Sequence, residues 1–265
     1  MINKKISIIT VVKNGMPYLK NSIKSFKLQN YNNKELIIVY SKSSDETESF
    51  LNDIRDKNIF IKKDETSKNR YGSILKGIQY ASGEIFGLLH SDDIFYDENV
   101  LDIISKEFNK DLDCVYGNIL FCEKRNLTKI NRVWISNSYK KTKLKYGWSP
   151  PHTSVFLKKN FFQKNPEIYN ENFNISGDYF FILKLFQSKN LKCSYINNFI
   201  TLMRSGGDST NLLNFYDKFK EDLEISKIFF KNNYLCIVLK IFRKINQVKL
   251  IKKNINNNYL KNFIL

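Results

Sequence analysis

The feature that most limits what this chain can become is the apolar, largely β-branched run Ile6–Val12, followed at once by residues at helical spacing. A run of that kind suits a strand buried on both faces. Leu19, Ile23 and Phe26 then recur with a helical period, and Pro17 suits a first helical turn. The alternation repeats. Glu35–Tyr40 reads as a second strand. Ser43, with Glu46 three residues on, forms a capping box for a helix carrying Phe50, Leu51 and Ile54. Ile59–Lys62 is a short third strand, 71–81 a helix stopped by Gly83, and 85–89 a fourth strand ending in His90, Ser91, Asp92 and Asp93. Strand and helix in this rhythm predict an α/β, Rossmann-like, mostly parallel sheet with right-handed crossovers and helices on its flanks.

Composition narrows the function classes. Of 265 residues, 42% are apolar, enough for a sizeable core, and 43 Lys and Arg stand against 26 Asp and Glu, a net charge of +17. Such a surface attracts nucleic acid, anionic lipid or phosphorylated small molecules. No helix-turn-helix or aromatic RNA-binding signature is present, so nucleic acid is not an expected partner. No segment approaches the roughly 20 apolar residues of a membrane span, and the opening has no cleavable leader pattern. The four cysteines have neither CxxC nor zinc spacing, as in reduced thiols of a cytoplasmic protein.

In an open parallel sheet, ligands bind beyond the carboxyl ends of the strands. Residues 10–14, 40–45 and 90–93 hold those positions. Adjacent carboxylates such as Asp92 and Asp93 repel unless a cation or a donor offsets the charge, and Mg²⁺ or Mn²⁺ with a substrate phosphate does so. The alternative is that one of them caps the next helix. Asp178 has the same two readings, a carboxylate at a pocket rim and the N-cap of a following helix.

Three segments, SIITVVKNGMPYLKNSIKSFKLQNYNNKELIIV (7–39), LKGIQYASGEIFGLLHSDD (75–93) and PHTSVFLKKNFF (151–162) with ISGDYFF (175–181), resemble family 2 glycosyltransferases, in particular bacterial enzymes that build surface polysaccharides such as lipopolysaccharide or capsule. The resemblance spans about residues 5–210. It implies a glycosyltransferase-A fold and inverting transfer of a sugar from a nucleoside diphosphate sugar to a hydroxyl of a glycan or lipid-linked acceptor, with Mn²⁺ or Mg²⁺. In those terms Asp93 and Asp92 are metal ligands, Asp92 alternatively facing the ribose, and Asp178 is the catalytic base. Thr10, Lys13, Asn14 and Tyr40 lie where the nucleoside is held. Lys68 and Arg70 lie where related enzymes place a basic residue near the donor diphosphate, the alternative being solvated surface charge, and Arg204, Gly206, Gly207 and Ser209 resemble a loop near the sugar or diphosphate. The two histidines both fall inside these segments: His152 is read as touching the acceptor or the donor, or as a packed hydrogen-bonding residue, and His90 as structural support beside the metal site. The resemblance divides the chain into a catalytic domain at 1–210, with a nucleotide-binding half to about 116 and an acceptor half over 117–210, and a basic helical extension at 211–265. Tyr40 stands where the family usually has Asp, Lys13 where an aromatic is common, His90 for a frequent Asn, and Gly177 where an acid often precedes the base. These departures motivate a second reading, a non-catalytic glycosyltransferase-like binding protein.

After Glu224 there is no acid, while nine Lys or Arg follow. Leu235, Val238, Leu239, Phe242 and Ile245 share one helical face, with Lys240, Arg243 and Lys244 opposite. Either the apolar face lies on an anionic membrane surface, peripheral to its inner face, or it packs on the catalytic domain and the charge faces water.

Overall fold

The protein is described from a computed structural model covering residues 3–206, 215–231, 233–249 and 258–263. Gly207 and Ser209, and parts of the extension expected at 211–265, lie outside the described residues. The first third of the chain follows the alternation: β1 (Ile6–Val12), α1 (Leu19–Lys27), β2 (Lys34–Tyr40), α2 (Thr47–Asn52), β3 (Ile59–Lys63), α3 (Arg70–Tyr80) and β4 (Ile85–Leu88). These strands pair in parallel in the order β3-β2-β1-β4. The chain therefore reverses its direction of travel across the sheet at β1, and a crevice opens between the carboxyl ends of β1 and β4. Ile6, Ile8, Leu36 and Ile38 are buried on one face, and Ile9, Ile37 and Val39 on the other.

Three local expectations change. Pro17 precedes α1 rather than entering it, and Tyr18 is the N-cap. The Ser43–Glu46 box does not form. Glu48 instead takes the Ser43 amide, and Asp45 takes the amides of Thr47 and Met16, so the loop before α2 is tied to the loop after β1. The chain after Asp93 does not start a helix. It makes β5 (Ile94–Phe95), and α4 (Val100–Glu107) begins after Asn99. Neither Asp92 nor Asp93 is a helix cap.

The middle of the chain adds β6 (Cys114–Cys122), β7 (Ile130–Trp134), α5 (Lys141–Leu144), β8 (Val155–Lys158), α6 (Lys159–Lys164), α7 (Gly177–Gln187) and β9 (Cys193–Arg204). β8 joins β4 antiparallel, and β6, β9 and β5 extend the sheet beyond it, with β7 antiparallel to β6. A short 3-10 turn, His152–Ser154, leads into β8 and delivers His152 and Thr153 to the crevice.

Two helices, α8 (Phe215–Phe229) and α9 (Asn233–Lys249), pack beside α7 and β7. The Tyr179 hydroxyl lies 3.3 Å from Ser226 Oγ and 3.4 Å from Cys236 Sγ, joining all three helices. α9 seats closely on the turn after α5. Gly147 has a φ of +71°, and a Cβ there would stand 2.4 Å from the Lys240 nitrogen. The reading in which the apolar face packs on the catalytic domain is overturned, because that face points outward. Cys236 and Ile237 are buried, while Leu235, Val238, Ile241, Phe242, Ile245 and Val248 point outward at 41% to 57% exposure. Lys240 and Lys244 turn inward.

Candidate active site

The turn after β4 is built to present carboxylates. The Asp93 amide donates to the His90 carbonyl at 3.2 Å, which sets the His90 and Asp93 side chains next to each other. Ser22 Oγ of α1 donates to the same carbonyl at 3.0 Å. Thr10 Oγ1 donates to the Leu89 carbonyl at 2.7 Å. Asp93 is 1% exposed. Its Oδ1 accepts the Arg204 amide at 3.0 Å, and its Oδ2 has no hydrogen-bond partner. Burial and the neighbouring charge of Asp93 push the Asp92 carboxyl up to about 6.

The ligand atoms of His90, Asp92 and Asp93 all lie within 4.8 Å of one another. A buried carboxylate oxygen without a hydrogen-bond partner beside a crowded second carboxylate is a pair of donors that a hard divalent cation satisfies, with the imidazole set against Asp93 as a support. The residues present therefore fit Mn²⁺ or Mg²⁺.

From this corner a line of polar groups crosses the cleft. His90 Nδ1 is 3.4 Å from Asp93 Oδ2, His90 Nε2 is 3.0 Å from His152 Nε2, and His152 Nδ1 is 3.5 Å from Asp178 Oδ2. Burial works against a charge on His90, but Asp93 and Asp92 outweigh it and raise its pKa. Burial pushes His152 down to about 3, so it is neutral. One proton arrangement then satisfies the line. His90 faces Asp93 with Nδ1–H and donates Nε2–H to His152, and His152 turns Nδ1–H toward Asp178.

Asp178 is not a helix N-cap. Ser176 has that position, and Asp178 stands in the first turn of α7. Burial disfavours its charge, but His152, Lys218, Lys240 and the Tyr179 amide hold its carboxyl down at about 2, so it is ionised at neutral pH. Gly177 makes this placement feasible, since a Cβ there would meet the Tyr71 ring at 2.6 Å. The Tyr71 hydroxyl in turn donates to the Ile175 carbonyl at 2.8 Å. An acid at 177 would not fit this packing.

His90, Asp92, Asp93, His152 and Asp178 line one cleft of about 990 Å³. Of the sequence-predicted residues, Lys13, Asn14, Lys68, Arg70, Asp92, Asp93, His152, Asp178 and Arg204 line it. Asn14 accepts the Ser44 amide at 2.8 Å, and its backbone has a φ of 54°. Arg204 lies over the Tyr18 ring at 4.7 Å and donates Nη1–H to the Lys124 carbonyl, while its Nε and Nη2 are buried without partners. Two predicted residues are not brought to the cleft. Thr10 is fully buried and its hydroxyl ties β1 to the end of β4. Tyr40 packs into the core beneath α2, and Ser41 and Lys42 beside it face the cleft instead.

Sequence reasoning missed Asp64, whose carboxylate organises the loop before α3. It takes Ser73 Oγ at 2.7 Å, the amides of Thr66 and Ser67, and Lys76. It also missed Arg132, Trp134, Lys218, Lys240 and Lys244, which come from the acceptor-side strands and the two C-terminal helices. The inward lysines left one trace in the sequence, their position opposite an apolar stripe.

The sequence profile of glycosyl transferase family 2 matches residues 7–184. An uncharacterized glycosyltransferase of Rickettsia prowazekii is 29% identical over 191 residues, 69% of this chain and 58% of that protein. The UDP-Glc:alpha-D-GlcNAc-diphosphoundecaprenol beta-1,3-glucosyltransferase WfgD of Escherichia coli is 31% identical over 113 residues, 43% of this chain and 45% of its own length. The matched region thus spans well under two thirds of either relative. S. aureus TarS 1-349 in complex with UDP-GlcNAc superposes with a TM-score of 0.66 at 16% identity, over 91% of this chain and 73% of that one.

Proposed function

The chain belongs to glycosyl transferase family 2 and has the glycosyltransferase-A fold, and from that premise we propose that it transfers a sugar from a nucleoside diphosphate sugar to an acceptor hydroxyl with inversion at the anomeric carbon. The observation that carries this reading is that the Asp92–Asp93 pair and Asp178 face one cleft with His90 and His152 between them.

In this reading the donor lies across the ends of β1, β2 and β4, with Lys13 and Asn14 at the nucleoside and Lys68, Arg70 and Arg204 at the diphosphate. The unpartnered Nε and Nη2 of Arg204 are donors awaiting an anion. Asp92 and Asp93, with His90 supporting Asp93 from its Nδ1 side, would hold Mn²⁺ or Mg²⁺, which when bound neutralises charge on the departing diphosphate. Asp178 accepts the proton of the acceptor hydroxyl as its oxygen bonds to the anomeric carbon and the bond from that carbon to the diphosphate oxygen breaks. A carboxylate held ionised by His152, Lys218 and Lys240 suits that role. In this reading the half to about residue 116 serves mainly the donor, the half that follows brings Asp178 and His152 to the acceptor, and α8 and α9 add Lys218, Lys240 and Lys244 to the cleft.

The relative from Escherichia coli is named for a diphosphoundecaprenol-linked acceptor. A lipid-linked acceptor of surface-polysaccharide synthesis agrees with the outward apolar stripe of α9, which we place on the inner face of the membrane. No helix among the described residues is long and apolar enough to cross a membrane.

The test is turnover of UDP-, GDP- and dTDP-sugars with Mn²⁺, comparing wild type with Asp93→Ala. Metal-dependent turnover that the variant lacks supports the proposal. Nucleotide binding with no turnover under any donor and acceptor returns the non-catalytic reading.

A further inference from the structure

Outside the groups assigned to transfer, the cleft holds a second set of cations with too few anions. Arg132 on β7 and Lys240 and Lys244 on α9 line its far end. Lys240 lies 3.3 Å from the Tyr179 ring centre and pairs with Asp222 at 2.9 Å. Arg132 rests on the Phe121 ring at 3.7 Å, with Trp134 at 5.1 Å, and its Nε is buried without a hydrogen-bond partner. Among the described residues, no carboxylate stands within ion-pair distance of Arg132 or Lys244.

Holding cations so close, and partly out of water, costs free energy that only an anion offsets. The cost is visible in both groups. Burial pushes Arg132 down to about 10, and burial with the charges of Lys240 and Lys218 pushes Lys244 down to about 8.

Position says which reactant brings the anion. Lys240 lies on the ring of Tyr179, the residue after Asp178, and α9, which carries Lys240 and Lys244, packs on β7, which carries Arg132. The second set therefore stands on the Asp178 side of the cleft. The substrate that meets Asp178 from that side is the acceptor.

We propose that Arg132, Lys240 and Lys244 form an anion subsite for a diphosphate carried by the acceptor, so that the acceptor is a glycosyl diphosphate. This rests on the donor and base assignments above. Two unpaired cations match the two negative charges of a diphosphate diester, and a planar guanidinium fixed on an aromatic ring is suited to paired phosphate oxygens. α9 then has two roles on two faces. Its inner lysines hold the diphosphate, and its outer stripe meets the lipid to which such a diphosphate is attached.

The test titrates inorganic pyrophosphate into the full chain with a chelator present, so that no metal at Asp92 and Asp93 can recruit it. Wild type should bind, and Arg132→Gln and Lys244→Gln should each weaken binding roughly tenfold or more. Lys244→Arg should restore most of the binding. Without pyrophosphate, Lys244→Gln should keep or raise the thermal midpoint, because it removes an unpaired, partly buried charge. Pyrophosphate binding unchanged in both Gln variants overturns the inference. So does a loss confined to vesicles of phosphatidylcholine with phosphatidylglycerol, which would make these cations readers of lipid headgroups. A parallel titration of UDP, GDP and dTDP with Mn²⁺ separates the two levels. Nucleotide binding equal in wild type and variants, with pyrophosphate binding unmoved, removes the subsite and leaves the donor reading intact, whereas no nucleotide binding by wild type removes both.

Discussion

His90 and His152 meet with their Nε2 atoms 3.0 Å apart, and through them Asp93 is joined to Asp178. The contact links the turn after β4 to the 3-10 turn before β8, two segments 62 residues apart in sequence. In the proposed mechanism it ties the carboxylate assigned to the donor diphosphate to the one assigned to the acceptor hydroxyl. A chain of this kind fixes the orientation of both ends, because each ring has one nitrogen committed to its neighbour.

His152→Ala should therefore lower kcat by about 10- to 100-fold, by analogy with the loss of groups that orient a site, while nucleotide affinity stays unchanged. The His90→Ala, His152→Ala double variant should lose less than the product of the two single effects, since both break one connection. A double-mutant cycle on kcat measures this, and strictly multiplicative losses would show that the two rings act separately.

Gly177→Ala should destabilise by about 1–3 kcal/mol, the range for overpacking a filled site. The added methyl meets the Tyr71 ring, which cannot retreat because its hydroxyl is bonded to the Ile175 carbonyl. Because residue 178 follows directly, kcat should fall as well. A thermal midpoint equal to wild type, with full activity, would contradict this packing.

Glu35 gives a pH dependence. Burial raises its pKa, but bonds from Lys5, Ser7 and Ser82 overcome this and hold it at about 2, against an ordinary 4.5. The folded value lies below the unfolded one, so the stabilisation is complete above about 4.5 and drains as pH falls toward about 2. Glu35→Gln should cost about 1–3 kcal/mol near neutral pH and flatten the acid limb of a denaturation series. An unchanged acid limb would mean that other carboxylates govern it.

Much of the site was legible because it lies where a parallel sheet must place it. The apolar runs of β1, β2 and β4 put residues 13–14 and 90–93 at one rim, and those residues line the cleft. Thr10 misled because strand alternation carries every second side chain away from the ligand, and its hydroxyl serves the Leu89 carbonyl. Tyr40 misled for a related reason: its ring joins the core, and its neighbours face the cleft. The contact between His90 and His152 could not be read in advance, since it depends on β8 docking antiparallel on β4. The orientation of α9 was hidden because an amphipathic pattern says that two faces differ, not which one meets the protein. Here Gly147, Asp222 and Tyr179 hold the basic face inward.

In the proposed mechanism Asp93 serves donor binding and Asp178 serves proton removal. Measuring nucleoside diphosphate affinity with Mn²⁺ alongside sugar transfer, in wild type, Asp93→Ala and Asp178→Asn, separates the two roles. The account predicts that Asp93→Ala loses Mn²⁺-dependent nucleotide binding and transfer together. Asp178→Asn should keep nucleotide binding and lose about 10²–10⁴ in transfer rate, the contribution of general base catalysis. Transfer that survives in Asp178→Asn, or Mn²⁺-dependent binding that survives in Asp93→Ala, would contradict it.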